Sequence, residues 1–364
     1  MNEPLSRSPE DRAPALAEPL LRALPKTDLH CHLDGSLRLA TILELASEQG
    51  VALPASDEAG LARAIHMGET CGSLDEYLVA FDVTLSVLQT EDALFRAAYE
   101  LGVDCAADGV RYVEVRYSPV LNQRRGLALP AVVEAVVAGL ARAERETGIR
   151  GSTILCGIRS MAPAVSLEIA RVAAAYRDRG VCGFDLAGGE AAFPAADHAA
   201  AFLHARQAEL SCTCHAGEAA GPGSVAQAIH LCGAHRIGHG VRLGEDPRLL
   251  AYANDHRIAL ECCPSSNVQT GAVASLEAHP LRRYLRQGLR VTVNTDNRLI
   301  TDTTATKELL LAHTRCGLDA GEIAACVING WKSAFLPYEE KRERIRTAEK
   351  EIDRLFAEAG VRVA

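Results

Sequence analysis

Along most of the chain, short apolar runs alternate with longer segments whose apolar residues recur every three or four positions, the pattern of strands followed by amphipathic helices. The runs predict strands over residues 27–33, 110–117, 153–158, 181–186, 210–215, 236–239, 258–262 and 290–295. Helical periodicity predicts helices over 37–49, 90–108, 130–147, 164–179, 194–208, 224–232, 247–254 and 280–287. Several of these open on Pro, which a first helical turn tolerates because the N–H it lacks has no partner there. Repeated strand–helix units imply an α/β protein with a parallel sheet, and eight of them suggest a (β/α)8 TIM barrel. An open, doubly wound sheet is the structural alternative.

Two stretches exceed the repeat. Residues 52–88, between the first and second strands, are too long for a simple crossover and predict extra helices over the barrel mouth. Residues 305–364 predict a charged helical C-terminus, whose run at 339–344 reads as a solvated face. Residues 1–24, rich in Pro, Arg and acidic side chains, read as a flexible N-terminal segment ahead of a single catalytic domain over 25–364.

Composition narrows the function. Aromatic residues make up only 4% of the chain against 48% hydrophobic, so the core must be built from Ala, Val, Leu and Ile. That suits parallel strands covered on both faces by Ala-rich helices. The net charge is −9 and no basic stripe is present, which argues against a nucleic-acid partner. No stretch has the apolar length of a signal peptide or a membrane span. The 12 Cys are scattered without zinc-finger spacing, the usage of reduced thiols in a cytoplasmic protein.

Chemistry enters at the strand ends. In such a barrel the reactive groups sit at the C-terminal ends of the strands. Here those ends read His30-Cys31-His32-Leu33-Asp34, Asp185-Leu186-Ala187-Gly188, His215-Ala216-Gly217-Glu218, Gly238-His239-Gly240 and Asn294-Thr295-Asp296-Asn297. Residues i and i+2 of a strand share a face, so His30 and His32 both point to the barrel axis. Joined by His215 and Asp296 they form a mixed nitrogen and oxygen set that suits one zinc ion with an open position. An isolated His-x-His is weak evidence; the combination with the other strand ends is what gives it force. Zinc makes a nucleophile of bound water, and Glu218, three residues beyond His215, is placed to donate a proton. The competing reading of Glu218 is an acidic residue leading into the helix at 224, where Ser224 is a candidate N-cap. His239 is either a core histidine or the group that orients the attacking water.

Taken together, Thr27-Asp28-Leu29-His30-Cys31-His32-Leu33-Asp34-Gly35-Ser36, His215-Ala216-Gly217-Glu218, Arg236-Ile237-Gly238-His239-Gly240 and Asn294-Thr295-Asp296 resemble the ordered signature of the adenosine deaminase family, within the metal-dependent amidohydrolases. Tyr112-Val113-Glu114-Val115-Arg116-Tyr117-Ser118-Pro119, Asp185-Leu186-Ala187-Gly188 and Cys263-Pro264-Ser265-Ser266-Asn267 add to the likeness, which runs from about Pro25 to Leu336. The resemblance implies zinc-dependent hydrolytic deamination of adenosine and 2′-deoxyadenosine to inosine and 2′-deoxyinosine, as part of purine metabolism. It implies that His30, His32, His215 and Asp296 bind the zinc. Glu218 would protonate the purine ring, and His239, with Asp296, would serve the attack of water. For the substrate it implies contacts from His32, from Asp34 to the sugar, from the Gly188 backbone to the purine, and from an apolar helix bearing Tyr77, Leu78 and Phe81. Ordinary packing at helical spacing is the rival account of those last three residues.

One position departs from the family pattern: Asn297-Arg298 follows Asp296 where the familiar form has Asp-Pro. That first position contacts the purine N7, an acceptor, and an Asn amide donates to it directly, whereas a carboxylate must first be protonated. Deamination of another aminopurine, such as adenine or aminofutalosine, is the nearest alternative. A metal-dependent hydrolase of another substrate class on the same barrel is the next.

Overall fold

The computed structural model describes residues 16–66 and 80–362. Eight strands, β1 (Lys26–His32), β2 (Val110–Tyr117), β3 (Arg150–Ile158), β4 (Val181–Ala187), β5 (Ser211–Ala216), β6 (Arg236–His239), β7 (Ala259–Cys262) and β8 (Val291–Val293), form one sheet in sequential order. Every neighbouring pair is parallel, and helices alternate with the strands, which makes a (β/α)8 barrel. Closure between β8 and β1 rests on a single parallel bridge, Cys31 to Asp296. There His32 N donates to Asp296 O at 2.7 Å, and Asp296 N donates to His30 O at 2.8 Å. The seam that shuts the barrel therefore passes through candidate site residues.

The pairing register of β1 shifts between Asp28 and Cys31, an irregularity of the kind that re-aims side chains near functional sites. Asp28 turns to the seam, where its carboxylate accepts from Thr295 Oγ1 at 2.6 Å. Cys31 joins the apolar layer under the helices, with Val113, Val115, Leu155, Phe184 and Cys212. At the opposite end the single Trp, Trp331, packs on Leu29 and Tyr112 and donates to Pro25 O at 2.7 Å. The C-terminal helices Ala320–Ser333 and Tyr338–Glu358 thus cover part of the barrel. Among the described residues no helix is long and apolar enough to cross a membrane.

Most predicted elements match within a few residues. The stretch predicted as one helix over 194–208 divides into a 3-10 turn, Ala195–His198, and a helix, Ala199–Gln207. Gly221, not Ser224, takes the N-cap of the helix Pro222–His230, because Pro222 supplies its first turn. The long insert contributes the helices Glu58–Ile65 and Phe81–Val87. The N-terminal segment needs a correction from residue 16 onward. Glu18–Ala23 is a helix with Pro in its first turn, and Leu16, Leu21 and Leu24 are buried in the main core. The apolar spacing of these leucines outweighs the polar composition around them.

Leu21 is fully buried, so Leu21→Ala should destabilise the protein by about 2–5 kcal/mol, the range for removing a buried Leu side chain. A loose segment would give no measurable change, and chemical denaturation distinguishes the two outcomes.

Candidate active site

Four side chains converge where β1, β5 and β8 end. The donor atoms of His30, His32, His215 and Asp296 all lie within 4.8 Å of one another. The Nε2 atoms of His32 and His215 approach to 3.2 Å, and those of His30 and His32 each lie 3.4 Å from Asp296 Oδ1. His30 Nε2 is buried with no hydrogen-bond partner among the described residues. Bare imidazole nitrogens crowded around a carboxylate oxygen make a donor set that fits a divalent cation, with ligands matching a zinc-type nitrogen and oxygen site. Burial, helped by the Arg116 guanidinium, pushes the His30 pKa down to about 4. Burial also carries His32 well below its ordinary value. Both rings are thus held neutral, the form that binds metal.

The other edges of these rings are fixed from outside. His30 Nδ1 lies 2.9 Å from Glu261 Oε2, and His215 Nδ1 lies 3.0 Å from Asp185 Oδ2. An ionised carboxylate only accepts, so each ring carries its proton on Nδ1 and turns the lone pair of Nε2 inward. Both carboxylates are joined by one residue: Arg116 donates to Asp185 Oδ2 at 2.8 Å, to Glu261 Oε2 at 2.8 Å and to Leu29 O at 2.6 Å. Arg236 continues the series, bridging Glu261 and Glu114. Burial alone would raise the Glu261 carboxyl, but Arg116 and Arg236 hold it well below the usual range.

Beside the cluster, His239 Nε2 lies 3.5 Å from Glu218 Oε2, and Thr270 Oγ1 donates to Glu218 Oε1 at 3.1 Å. Burial raises the Glu218 pKa above its ordinary value, which favours the protonated carboxyl. The loop that carries Glu218 is held by Glu190, whose carboxylate accepts the backbone N–H groups of Gly217, Glu218, Ala219 and Ala220 at 2.6–3.0 Å. His239 and Asp296 both adopt left-handed backbone, with φ of 63° and 61°, an uncommon conformation for any residue other than Gly. Such strain is characteristic of functional sites. In Asp296 it ends the strand and swings the carboxylate, which Ser266 Oγ meets at 2.6 Å, toward the imidazoles.

Of the expected substrate contacts, Asp34 is buried, and its Oδ1 has no hydrogen-bond partner among the described residues. Burial lifts its carboxyl to about 7. Asn297 is buried directly over Gly35, where a Cβ would sit 1.9 Å from Asn297 Oδ1, so only Gly fits beneath it. Gly188 follows β4 with a φ of 98°. Phe81 opens its helix with its ring edge-on to His32, 6.4 Å between centroids. Tyr77 and Leu78 lie outside the described residues. Sequence reasoning passed over Glu190, Glu261 and Thr270, and left Arg116, Asp185, Arg236 and Asn267 inside the matching motifs without a role of their own. For Arg116, Asp185, Arg236 and Glu261 the available signal was a charged residue inside an otherwise apolar strand run.

A profile of the adenosine deaminase family matches residues 25–350 of the chain. An adenosine deaminase from Mycobacterium sp. (strain JLS) is 46% identical over 332 residues, covering 87% of this chain and 92% of that protein. Among solved structures, an adenine deaminase from Arthrobacter aurescens is similar with a TM-score of 0.85 at 27% identity, over 91% of this chain and 100% of that one. An amidohydrolase from Burkholderia ambifaria with bound Zn has a TM-score of 0.86 at 26% identity, covering 93% of each chain.

Glu261→Gln keeps the shape of the side chain but removes a charge that His30, Arg116, Arg236 and Thr213 all share. Metal affinity should fall by about 10–100-fold, read by competition with a chelator. Stability should fall by about 3–5 kcal/mol, as expected where a buried charge loses its partner. Unchanged metal retention would refute the proposed control of the His30 ring.

Proposed function

The chain belongs to the adenosine deaminase family, and from that premise we propose that it hydrolyses adenosine and 2′-deoxyadenosine to inosine and 2′-deoxyinosine with release of ammonia. The observation that carries this reading is the 46% identity to an adenosine deaminase over 87% of the chain, joined to a metal-ligand cluster at the barrel mouth. His30, His32, His215 and Asp296 would hold one zinc ion per chain; the crowding of their ligand atoms, the bare Nε2 of His30 and the zinc in the Burkholderia ambifaria structure support that choice. When bound, zinc would supply a water-derived nucleophile at neutral pH for attack on the amino-bearing carbon.

The protein's own groups act around that attack. Glu218, whose pKa burial raises toward the protonated form, gives a proton to the purine ring nitrogen beside the attacked carbon. His239 orients the attacking oxygen, and Asp296 accepts a hydrogen bond from it. Asp34 binds a sugar hydroxyl through its unpartnered oxygen, and the Gly188 backbone hydrogen-bonds the purine. Asn297 donates its amide to N7, while Phe81 and the edge of His32 close over the sugar, with Tyr77 and Leu78 assigned to the same cover. The eleven described cysteines are all free, the state of thiols in a reducing compartment, which supports a cytoplasmic place in purine metabolism. The likeness to an adenine deaminase favours free adenine as the second reading. The much higher identity to an adenosine deaminase and the unpartnered Asp34 oxygen favour the nucleoside.

Ammonia release from adenosine, 2′-deoxyadenosine, adenine and aminofutalosine, with metal content measured on the same sample, tests the proposal. Both adenosines should be turned over fastest by zinc-loaded protein. Glu218→Gln should lower kcat by roughly 100-fold or more, the scale of a lost general acid, without releasing metal. A panel led by adenine, or a fully active Glu218→Gln protein, would reject the assignment.

A further inference from the structure

The proton on His239 can be traced from outside the site inward. The Leu281 backbone N–H, which can only donate, lies 3.1 Å from His279 Nδ1. That nitrogen is therefore an acceptor. Burial pushes the His279 pKa down to about 3, so the ring is neutral and its proton sits on Nε2. His279 Nε2 lies 3.1 Å from Asn267 Oδ1, and the Cys263 backbone N–H points to the same oxygen at 3.3 Å. Two donors meeting there fix the amide: the reverse orientation would set an NH2 group against both of them. Asn267 Nδ2 then faces His239 Nδ1 at 3.0 Å and donates to it. Nδ1 of His239 consequently holds a lone pair, and the neutral ring carries its proton on Nε2, the nitrogen 3.5 Å from Glu218 Oε2. Asn267, His279 and His239 are all buried, which shields the relay from bulk water.

We infer that Asn267 and His279 are positioning residues that lock His239 in the Nε2–H form, so that it meets the reacting oxygen as a hydrogen-bond donor. The inference rests on the proposed placement of His239 beside the attacking oxygen. With one nitrogen occupied by the Asn267 amide and the other by its own proton, neutral His239 has no free basic nitrogen. It orients and stabilises through its N–H, and accepting a proton falls to another group. The direction of the whole relay is set by two main-chain amides, Leu281 and Cys263, whose donor role cannot change.

The test uses zinc-loaded protein labelled with 15N-histidine, in which long-range 1H–15N NMR separates protonated from bare ring nitrogens. The resonances missing from a His239→Gln sample identify those of His239. In the unaltered protein Nδ1 should be bare and Nε2 protonated. A proton on Nδ1 overturns the inference, whatever the substrate proves to be. Inertness toward adenosine would instead count against the deaminase reading and leave the NMR result standing. In Asn267→Asp the side chain can only accept, so the proton should move to Nδ1. With that swap kcat should fall by roughly 100-fold or more while KM and zinc content stay within about twofold, as for a catalytic imidazole held in the wrong tautomer. A swapped ring with unchanged kcat overturns the catalytic importance of the lock. Should Asn267→Asp fail to fold, the spectrum of the unaltered protein decides alone.

Discussion

One buried guanidinium ties the working end of this barrel together. Arg116 is fully enclosed, yet it reaches two carboxylates and a carbonyl. Each carboxylate holds one metal-cluster imidazole, His30 from β1 through Glu261 and His215 from β5 through Asp185. The two strands are almost opposite in the barrel order, so the cation fixes the distance between rings that share no local structure. Lysine would replace it poorly, since the three acceptors are reached from two separate guanidinium nitrogens, and an ammonium has only one nitrogen to place. Burying so many charges costs several kcal/mol per ion unless each is paired, and the series Glu114, Arg236, Glu261, Arg116, Asp185 pairs them in alternation. Three carboxylates against two guanidiniums leave one negative charge, and Asp296 adds a second. The series thus leans negative beside the metal-ligand cluster, and Glu261 and Asp185 join the polar floor to that cluster through His30 and His215.

That floor explains what the sequence revealed and what it hid. Strands buried on both faces show as apolar runs, so the barrel was legible, and so were the polar residues that interrupt those runs at their ends. Glu114, Arg116, Arg236 and Glu261 interrupt them too, but within the strand. A chain read locally gives no reason for Arg116 to meet Glu261, 145 positions away. Their alternation with apolar neighbours was the visible sign that one face of each strand looks into a charged interior. The N-terminal helix was missed for the opposite reason. Its polar composition was weighed above the spacing of Leu16, Leu21 and Leu24, all of which are buried.

The site also divides into a fixed and a covered side. On the fixed side, strained backbone at His239 and Asp296 persists because the surrounding bonds over-determine it. Asp296 is held by the closing bridge of the barrel, by Ser266 and by its own backbone bonds to β1. The Glu218 loop is held by four N–H groups converging on Glu190. Neither arrangement can relax without breaking several buried hydrogen bonds, so the groups proposed to act on the purine are set before any substrate arrives. Preorganisation of this kind is where most catalytic stabilisation originates.

The covered side is built differently, and the difference bears on selectivity. Phe81 reaches His32 from a seven-residue helix that belongs to the insert, not to a barrel repeat. Its approach is apolar and edge-on. A contact of that type discriminates by shape and is worth only about 1–3 kcal/mol per apolar group. The buried polar groups at the floor discriminate far more sharply, because a ligand that fails to satisfy them leaves them unpaired. Under the proposed assignment, choice among aminopurines therefore resides in Asp34 and Asn297, two of the buried polar side chains beside Gly35. Asn297 is packed so closely over Gly35 that its amide has little room to turn, and a fixed donor reads a ring acceptor better than a mobile one.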